Sequence, residues 1–157
     1  MRKLKIKRTR FDIAIEIICL VLLIGMIVYL LIRWNSFPDQ VPGHYNGRGE
    51  VDRWGSKGEL WIMPIVGWIL YLGITLVESF PTIWNTGITV TEENKEKVYR
   101  LLKSMIGLTK LIMISNFTFI EINSIQGGSL PWFFLPVFLV LMFGVIIFYI
   151  VRLVRIK

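Results

Sequence analysis

The sequence predicts an all-α integral membrane protein, a four-helix transmembrane bundle with an ordered Gly/Pro-rich outer loop between helices 1 and 2. Three observations predict it. Apolar residues make up 54% of the 157 positions and charged residues only 18%, more apolar surface than so short a chain can bury in water. The apolar residues gather into four runs, and a hydrocarbon core of about 30 Å takes about 20 helical residues to cross. The cations gather at the ends of those runs. That distribution turns the net charge of +7 into a statement about orientation and argues against nucleic acid as a partner. Low hydrophobicity with high charge, the mark of a disordered chain, is absent. Cys19 is the single cysteine, which excludes an internal disulfide framework and a four-cysteine zinc site.

The chain reads as one membrane domain over 1–157, with spans at 11–32, 60–77, 105–125 and 130–151. A basic stretch precedes the first span, but the apolar run is too long for a signal peptide and no small-residue cleavage site follows. It is expected to stay as an anchor. The second and fourth spans are nearly free of charge. The third carries Lys110, Asn116, Glu121 and Asn123. At about 100° per residue, Thr109, Asn116 and Asn123 form one stripe, and Lys110 and Glu121 share a second about 120° away. Stripes of this kind suit packing against other helices, where Asn can hydrogen-bond across the interface. They leave the oligomeric state open.

Positive charge sets the orientation. Four spans place both termini and the second loop on one side. That side holds Arg2, Lys3, Lys5, Lys7, Arg8 and Arg10, then Lys95, Lys97, Arg100 and Lys103, then Arg152, Arg155 and Lys157. The other side holds only Arg33, Arg48, Arg53 and Lys57. Thirteen against four predicts a plasma-membrane protein with N- and C-termini in the cytoplasm. Trp34, Trp61 and Trp132 then fall near the outer boundary and Trp84 and Tyr149 near the inner one, where amphipathic rings sit.

The outer loop, 33–59, is rich in turn residues. Pro38 and Pro42 fix φ, and Gly43, Gly47, Gly49, Gly55 and Gly58 permit tightly turned backbone. This density argues against helix and for a compact surface loop. Its four cations are balanced by Asp39, Glu50, Asp52 and Glu59, which suggests either internal pairing or a surface built for a polar partner. In the cytoplasmic loop, 81–104, Thr89 and Glu92 have the spacing of a capping box. Val98, Leu101, Leu102, Met105 and Ile106 follow at helical spacing. They mark an amphipathic helix that lies on the inner surface or runs straight into the third span.

The string Phe37-Pro38-Asp39-Gln40-Val41-Pro42, then His44-Tyr45-Asn46, Gly49, Asp52, Trp54-Gly55 and Lys57 resembles the pattern P-x-x-(I/V)-P-x-H-(F/Y)-N-x-x-G-x-x-D-x-(W/F)-G-S-K. That pattern belongs to the domain of unknown function 1648 family of bacterial membrane proteins, which includes the N-terminal part of SdpI-type immunity proteins. A later string, Ile88 to Asn94 with Tyr99-Arg100-Leu101, is similar to the segment after the second span in short members, although Trp84-Asn85-Thr86-Gly87 departs from theirs. The resemblance therefore covers most of the chain, strongly in the loop and more loosely beyond it. It implies a membrane architecture and, through the immunity proteins, protection against a secreted toxic peptide. Those proteins have additional spans.

The candidate binding residues are the loop positions Pro38, Pro42, His44, Asn46, Gly49, Asp52, Gly55 and Lys57. The intramembrane candidates are Glu16, Lys110, Asn116, Glu121 and Asn123, because ionisable groups in lipid are costly. His44, the only histidine, could form one corner of a zinc site with Asp39 and Asp52. The plainer expectation is that it and Asp52 pin the loop's turns. Glu16 and Lys110 lie at similar depth, about 7 Å below the cytoplasmic edge. They can pair, or Lys110 can snorkel alone to the surface. Glu121 is expected to accept from Lys57, Arg53 or His44. No catalytic or phosphate-binding motif is present, so no enzyme and no cofactor is expected. The expected partners are the lipid bilayer and a peptide toxin or membrane protein, recognised by the loop. The alternative is a small transporter or accessory subunit using the third span.

Overall fold

The computed structural model describes residues 6–156, so Arg2, Lys3, Lys5 and Lys157 of the orientation argument lie outside the described residues. Among the described residues four helices are long and apolar enough to cross a membrane, and the chain is a multi-pass membrane protein. The first, α1, spans Arg10–Arg33. Thr9 starts it with a capping box: its Oγ1 accepts from Asp12 N at 3.2 Å, and the Asp12 carboxylate accepts from Thr9 N at 2.7 Å. The three other helices are α2 (Ile62–Glu78), α3 (Lys95–Gln126) and α4 (Phe134–Val154).

The stretch between α1 and α2 is not a loop. It folds as an antiparallel β-hairpin of β1 (Gln40–Tyr45) and β2 (Val51–Ser56). The same residues that argue against helix are compatible with strands. Pro42 sits in a two-stranded ribbon with free edges, where a missing N–H is tolerated. Asn46 closes the turn with its side chain. Its Oδ1 accepts from Arg48 N at 2.8 Å and Glu50 N at 3.1 Å, and its Nδ2 donates to Glu50 Oε2 at 2.8 Å. Gly49 has φ +83°, a backbone conformation that costs little only for glycine. Register shifts fall between Pro42 and His44 and between His44 and Tyr45, so the ribbon is bulged and twisted over the end of the helices.

Val41 plugs the hairpin into that end, buried with Leu30, Phe37 and Leu60 beside Trp34, Trp61 and Ile125. On the other side Gly49 O accepts from Leu130 N at 2.8 Å, which ties the turn to the α3–α4 link. The link leaves α3 through Gly127, at φ +70°, and Pro131 keeps the apolar run that begins at 130 out of helix until Phe134.

The central helix is α3. It packs against α1, α2, α4 and the hairpin, whereas α1 and α2 touch less extensively. Leu23 of α1, Tyr71 of α2 and Ile114 of α3 meet in one buried cluster with Ile15, Cys19 and Met26. Gly67 permits this approach, because a Cβ there would stand 2.9 Å from the Leu23 side chain. The amphipathic segment expected in the second loop runs straight into the third span as one 32-residue helix. Its start is not the Thr89–Glu92 box. Thr91 and Asn94 exchange side-chain to backbone hydrogen bonds at 2.9 and 3.3 Å instead, and Glu92 pairs with Lys95 at 3.2 Å. Val98 and Leu102 are covered by Leu153 of α4 and by Trp84, Ile88 and Val90, so this chain itself occupies that apolar face. Over the rest of α4 no residue is fully buried: Phe134, Phe138, Met142 and Tyr149 are half-buried on the side of α3 and the other faces are exposed, as suits a helix bathed in lipid.

A Gly49→Ala variant is predicted to lose about 1–3 kcal/mol of local stability. A Cβ at Gly49 would stand 2.6 Å from Leu130 O and the backbone would be strained. Amide exchange at Glu50 and Leu130 should quicken while the middle of α3 keeps its protection; unchanged protection at Leu130 would contradict this docking.

Candidate functional site

Two polar centres lie within the bundle, one at the middle of α3 and one toward its C-terminal end. The first surrounds Lys110, which is 0% exposed. Its Nζ donates to Glu16 Oε1 of α1 at 2.5 Å, to Glu78 Oε2 of α2 at 3.0 Å and to Thr75 Oγ1 at 3.2 Å. Tyr71 donates its hydroxyl to the other oxygen of Glu16 at 2.7 Å, and its ring lies 5.1 Å from the ammonium. Of the two arrangements open to Lys110, pairing with Glu16 is the one adopted. Snorkelling would strand Glu16 and Glu78 together without a cation. Nearer the termini, Arg100 of α3 donates to Asp12 of α1 at 2.7 Å and to the backbone carbonyl of Lys7. Three helices are thus laced by charge at this end. Glu78, Thr75, Tyr71 and the Asp12–Arg100 pair were not singled out in the sequence. Glu78 stands one residue past an apolar run and reads there as a boundary residue.

The second centre lies under the hairpin. A cavity of about 370 Å³ opens between the hairpin, the start of α2 and the α3–α4 link. Pro42 to Gly49 form one side, Leu130, Trp132 and Leu135 another, and Glu121 and Ser124 of α3 line its interior. Tyr45 reaches down from β1, its hydroxyl 3.1 Å from Ser124 Oγ. Burial pushes the Tyr45 hydroxyl pKa up, so it holds its proton at neutral pH. Glu121 is 2% exposed, and its Oε1 finds no hydrogen-bond partner among the described residues.

The expected partners of Glu121 are engaged elsewhere. Arg53 donates to Glu59 at 2.8 and 3.1 Å and to Gly43 O at 2.7 Å. Lys57 sits over the Trp34 ring at 4.8 Å. His44 Nδ1 lies 2.6 Å from Asp52 Oδ1. None of the three bonds to Glu121. Of the segment's balanced charges, Arg53 and Glu59 pair with each other, and Asp52 pairs with His44. The motif glycines follow from the same pairing: Gly55 and Gly43 give room to the Arg53–Glu59 pair, since a Cβ on either would fall within 2.6 Å of the Glu59 carboxylate. His44 and Asp52 are exposed on the ribbon without Asp39, and no group of three metal-ligating side chains occurs among the described residues. Pro38 is exposed, and Pro42 is buried at the base of the hairpin.

The two stripes of α3 have different fates. Lys110 and Glu121 face the interior, while Asn116 and Asn123 are only half-buried. Asn123 donates to Phe119 O of its own helix at 2.8 Å rather than across an interface. A self-satisfied Asn escapes the need for a partner helix.

Lys110→Met is predicted to destabilise the protein by about 3 kcal/mol, because the half-buried carboxylates of Glu16 and Glu78 lose their shared cation. The triple variant that adds Glu16→Gln and Glu78→Gln should recover most of that loss. Thermal unfolding in detergent reads both, and a triple variant no more stable than the single one would count against the charge account.

The model of a family described as a domain of unknown function, DUF1648, matches residues 21–67, from mid-α1 through the hairpin to the first turns of α2. This is narrower than the resemblance along most of the chain, and the 88–101 stretch lies outside the match. An uncharacterized protein of the archaeon Archaeoglobus fulgidus is 29% identical over 125 residues, covering 68% of this chain and 68% of that relative. No solved structure matches the chain. The family match thus covers the hairpin and its supports, and the archaeal relative is similar over 125 residues of the chain.

Proposed function

We propose that the chain is a non-enzymatic recognition module of immunity or sensor type. It holds a segment of a peptide or partner protein at the hairpin end, outside the plasma membrane, with both termini in the cytoplasm. The observation that carries this reading is the cavity under the hairpin, of about 370 Å³, in the size range of ligand sites. It is apolar on most sides and reached beside a rigid, internally paired ribbon. A pre-ordered ribbon loses little entropy when a ligand docks. The orientation rests on the cation asymmetry, and the immunity role on the resemblance to toxin-immunity proteins.

Expression in a sensitive host followed by a panel of membrane-active peptides tests it. At least one peptide should kill less efficiently when the protein is present, and Gly49→Ala, which loosens the hairpin, should weaken that protection. Equal killing across the panel would sink the reading.

A second reading, a small transporter or accessory subunit, is favoured by the fully buried Lys110 between two carboxylates. Intramembrane charges often mark transport paths. It predicts a solute or proton flux in proteoliposomes that Glu121→Gln abolishes while assembly is preserved. An unchanged flux in that variant removes the idea.

A further inference from the structure

Glu121 stands apart from the other ionisable groups of the bundle interior. Lys110, Glu16 and Glu78 satisfy one another, and Asp12 has Arg100. Glu121 is 2% exposed, and its Oε1 has no partner among the described residues. An unpaired carboxylate in a low-dielectric interior is too costly to persist, so such a group carries a proton or holds a cation. Among the described residues no cation of the hairpin forms an ion pair with it. Arg53 is held by Glu59, Lys57 by the Trp34 face, and His44 by Asp52. Arg48 lines the same cavity from the exposed turn.

The surroundings say what kind of cation fits. Glu121 lines the cavity beneath the hairpin and also a second one of about 370 Å³ on its other side, between α1 and α3. That second cavity is walled by Val21, Leu22, Met26 and Ile122, with Thr118 and Tyr29 as its hydroxyls. Beside Glu121 a metal ion would find only Thr118, Tyr29 and Gln126 as polar side chains of the second cavity, and no group of three metal-ligating side chains occurs among the described residues, short of the six or more oxygens that hard cations require. A single ammonium on an apolar body matches both halves of the site. The charge meets Glu121 in a charge-assisted hydrogen bond, and the body takes the apolar walls.

We propose that Glu121 is the anchor of a cation site, receiving an ammonium group borne on an apolar ligand. In the recognition reading above, on which this choice of ligand rests, that ammonium is a lysine side chain or free amino terminus of an apolar peptide. The inference deepens that reading by assigning the chemical class of the ligand.

The experiment uses the full chain in lipid nanodiscs, with empty discs subtracting partition into lipid. The probes are n-octylammonium and its neutral counterpart 1-octanol, together with an apolar peptide carrying one lysine and its norleucine twin. Saturable binding of about one octylammonium per chain is expected, with 1-octanol weaker by at least about tenfold, a difference of about 1.4 kcal/mol. Glu121→Gln should bring octylammonium down to the level of octanol and erase the preference for the lysine peptide. It should melt no lower than the parent, since a neutral amide is easier to bury than a carboxylate. Equal binding of the two octyl probes, no binding of either, or a preference that survives in Glu121→Gln overturns the cation site. Peptide capture that persists without any lysine preference would leave the recognition reading standing and the cation site refuted. Glu121-dependent octylammonium binding with no peptide retained would do the reverse.

Discussion

A lysine wholly withdrawn from water is tolerable only where counter-charges are built around it, and here they come from two other helices. Lys110 of α3 brings Glu16 of α1 and Glu78 of α2 to within hydrogen-bonding distance of one nitrogen. Lipid tails are as apolar as leucine, so burying leucine gives helices no reason to prefer one another over lipid in the membrane. A shared ion does give that reason, and it fixes rotation and depth together. The apolar cluster of Leu23, Tyr71 and Ile114 and the glycine contact at Gly67 are then consequences of a register that the charges set. Because α4 has no part in this network, it is joined only along α3 and is left facing lipid.

The hairpin depends on the same register. Val41 needs Leu30 and Leu60 side by side to bury itself, and Gly49 needs Leu130 where α3 delivers it. An isolated two-stranded ribbon is marginal in water. This one is held by a plug at its base, a hydrogen bond at its turn and the Arg53–Glu59 pair set among its glycines. Arg53 pairs with Glu59 and His44 with Asp52. Glu59 and Arg48 line the space beneath the ribbon together with Glu121, but Glu121 is the carboxylate there left without an ion-pair partner among the described residues.

How far these features were legible in the sequence follows from their range along the chain. Hydropathy is summed over consecutive residues, so the four spans could be read directly. The Glu16–Lys110 pair was also within reach, because depth follows from counting residues. The hairpin was missed although a signal for it was present. Asn46-Gly47 after Tyr45 has the form of a hairpin turn, but the abundance of Pro and Gly weighs equally against helix and strand. Asn116 and Asn123 looked like interface residues because a helical wheel shows which residues share a face, not whether a neighbour covers it. Glu78 was passed over because nothing local separates a residue that ends a span from one that reaches back inside.

The sequence alone determined that this chain lives in a membrane, which stretches cross it, and that its specific motif lies between the first two crossings. These are properties of short windows, governed by the cost of placing each residue in lipid. The tertiary structure decided which charges of the bundle interior are paired and left Glu121 without a partner among the described residues. Arg53, Lys57 and His44 were all plausible partners for Glu121 by position. Only the twist of the ribbon, which aims each of them at its own strands or at Trp34, leaves Glu121 alone beside two cavities. Pairing is a contest among groups distant in the chain, won by geometry within a few ångströms, and such geometry exists only once the helices and the hairpin are assembled.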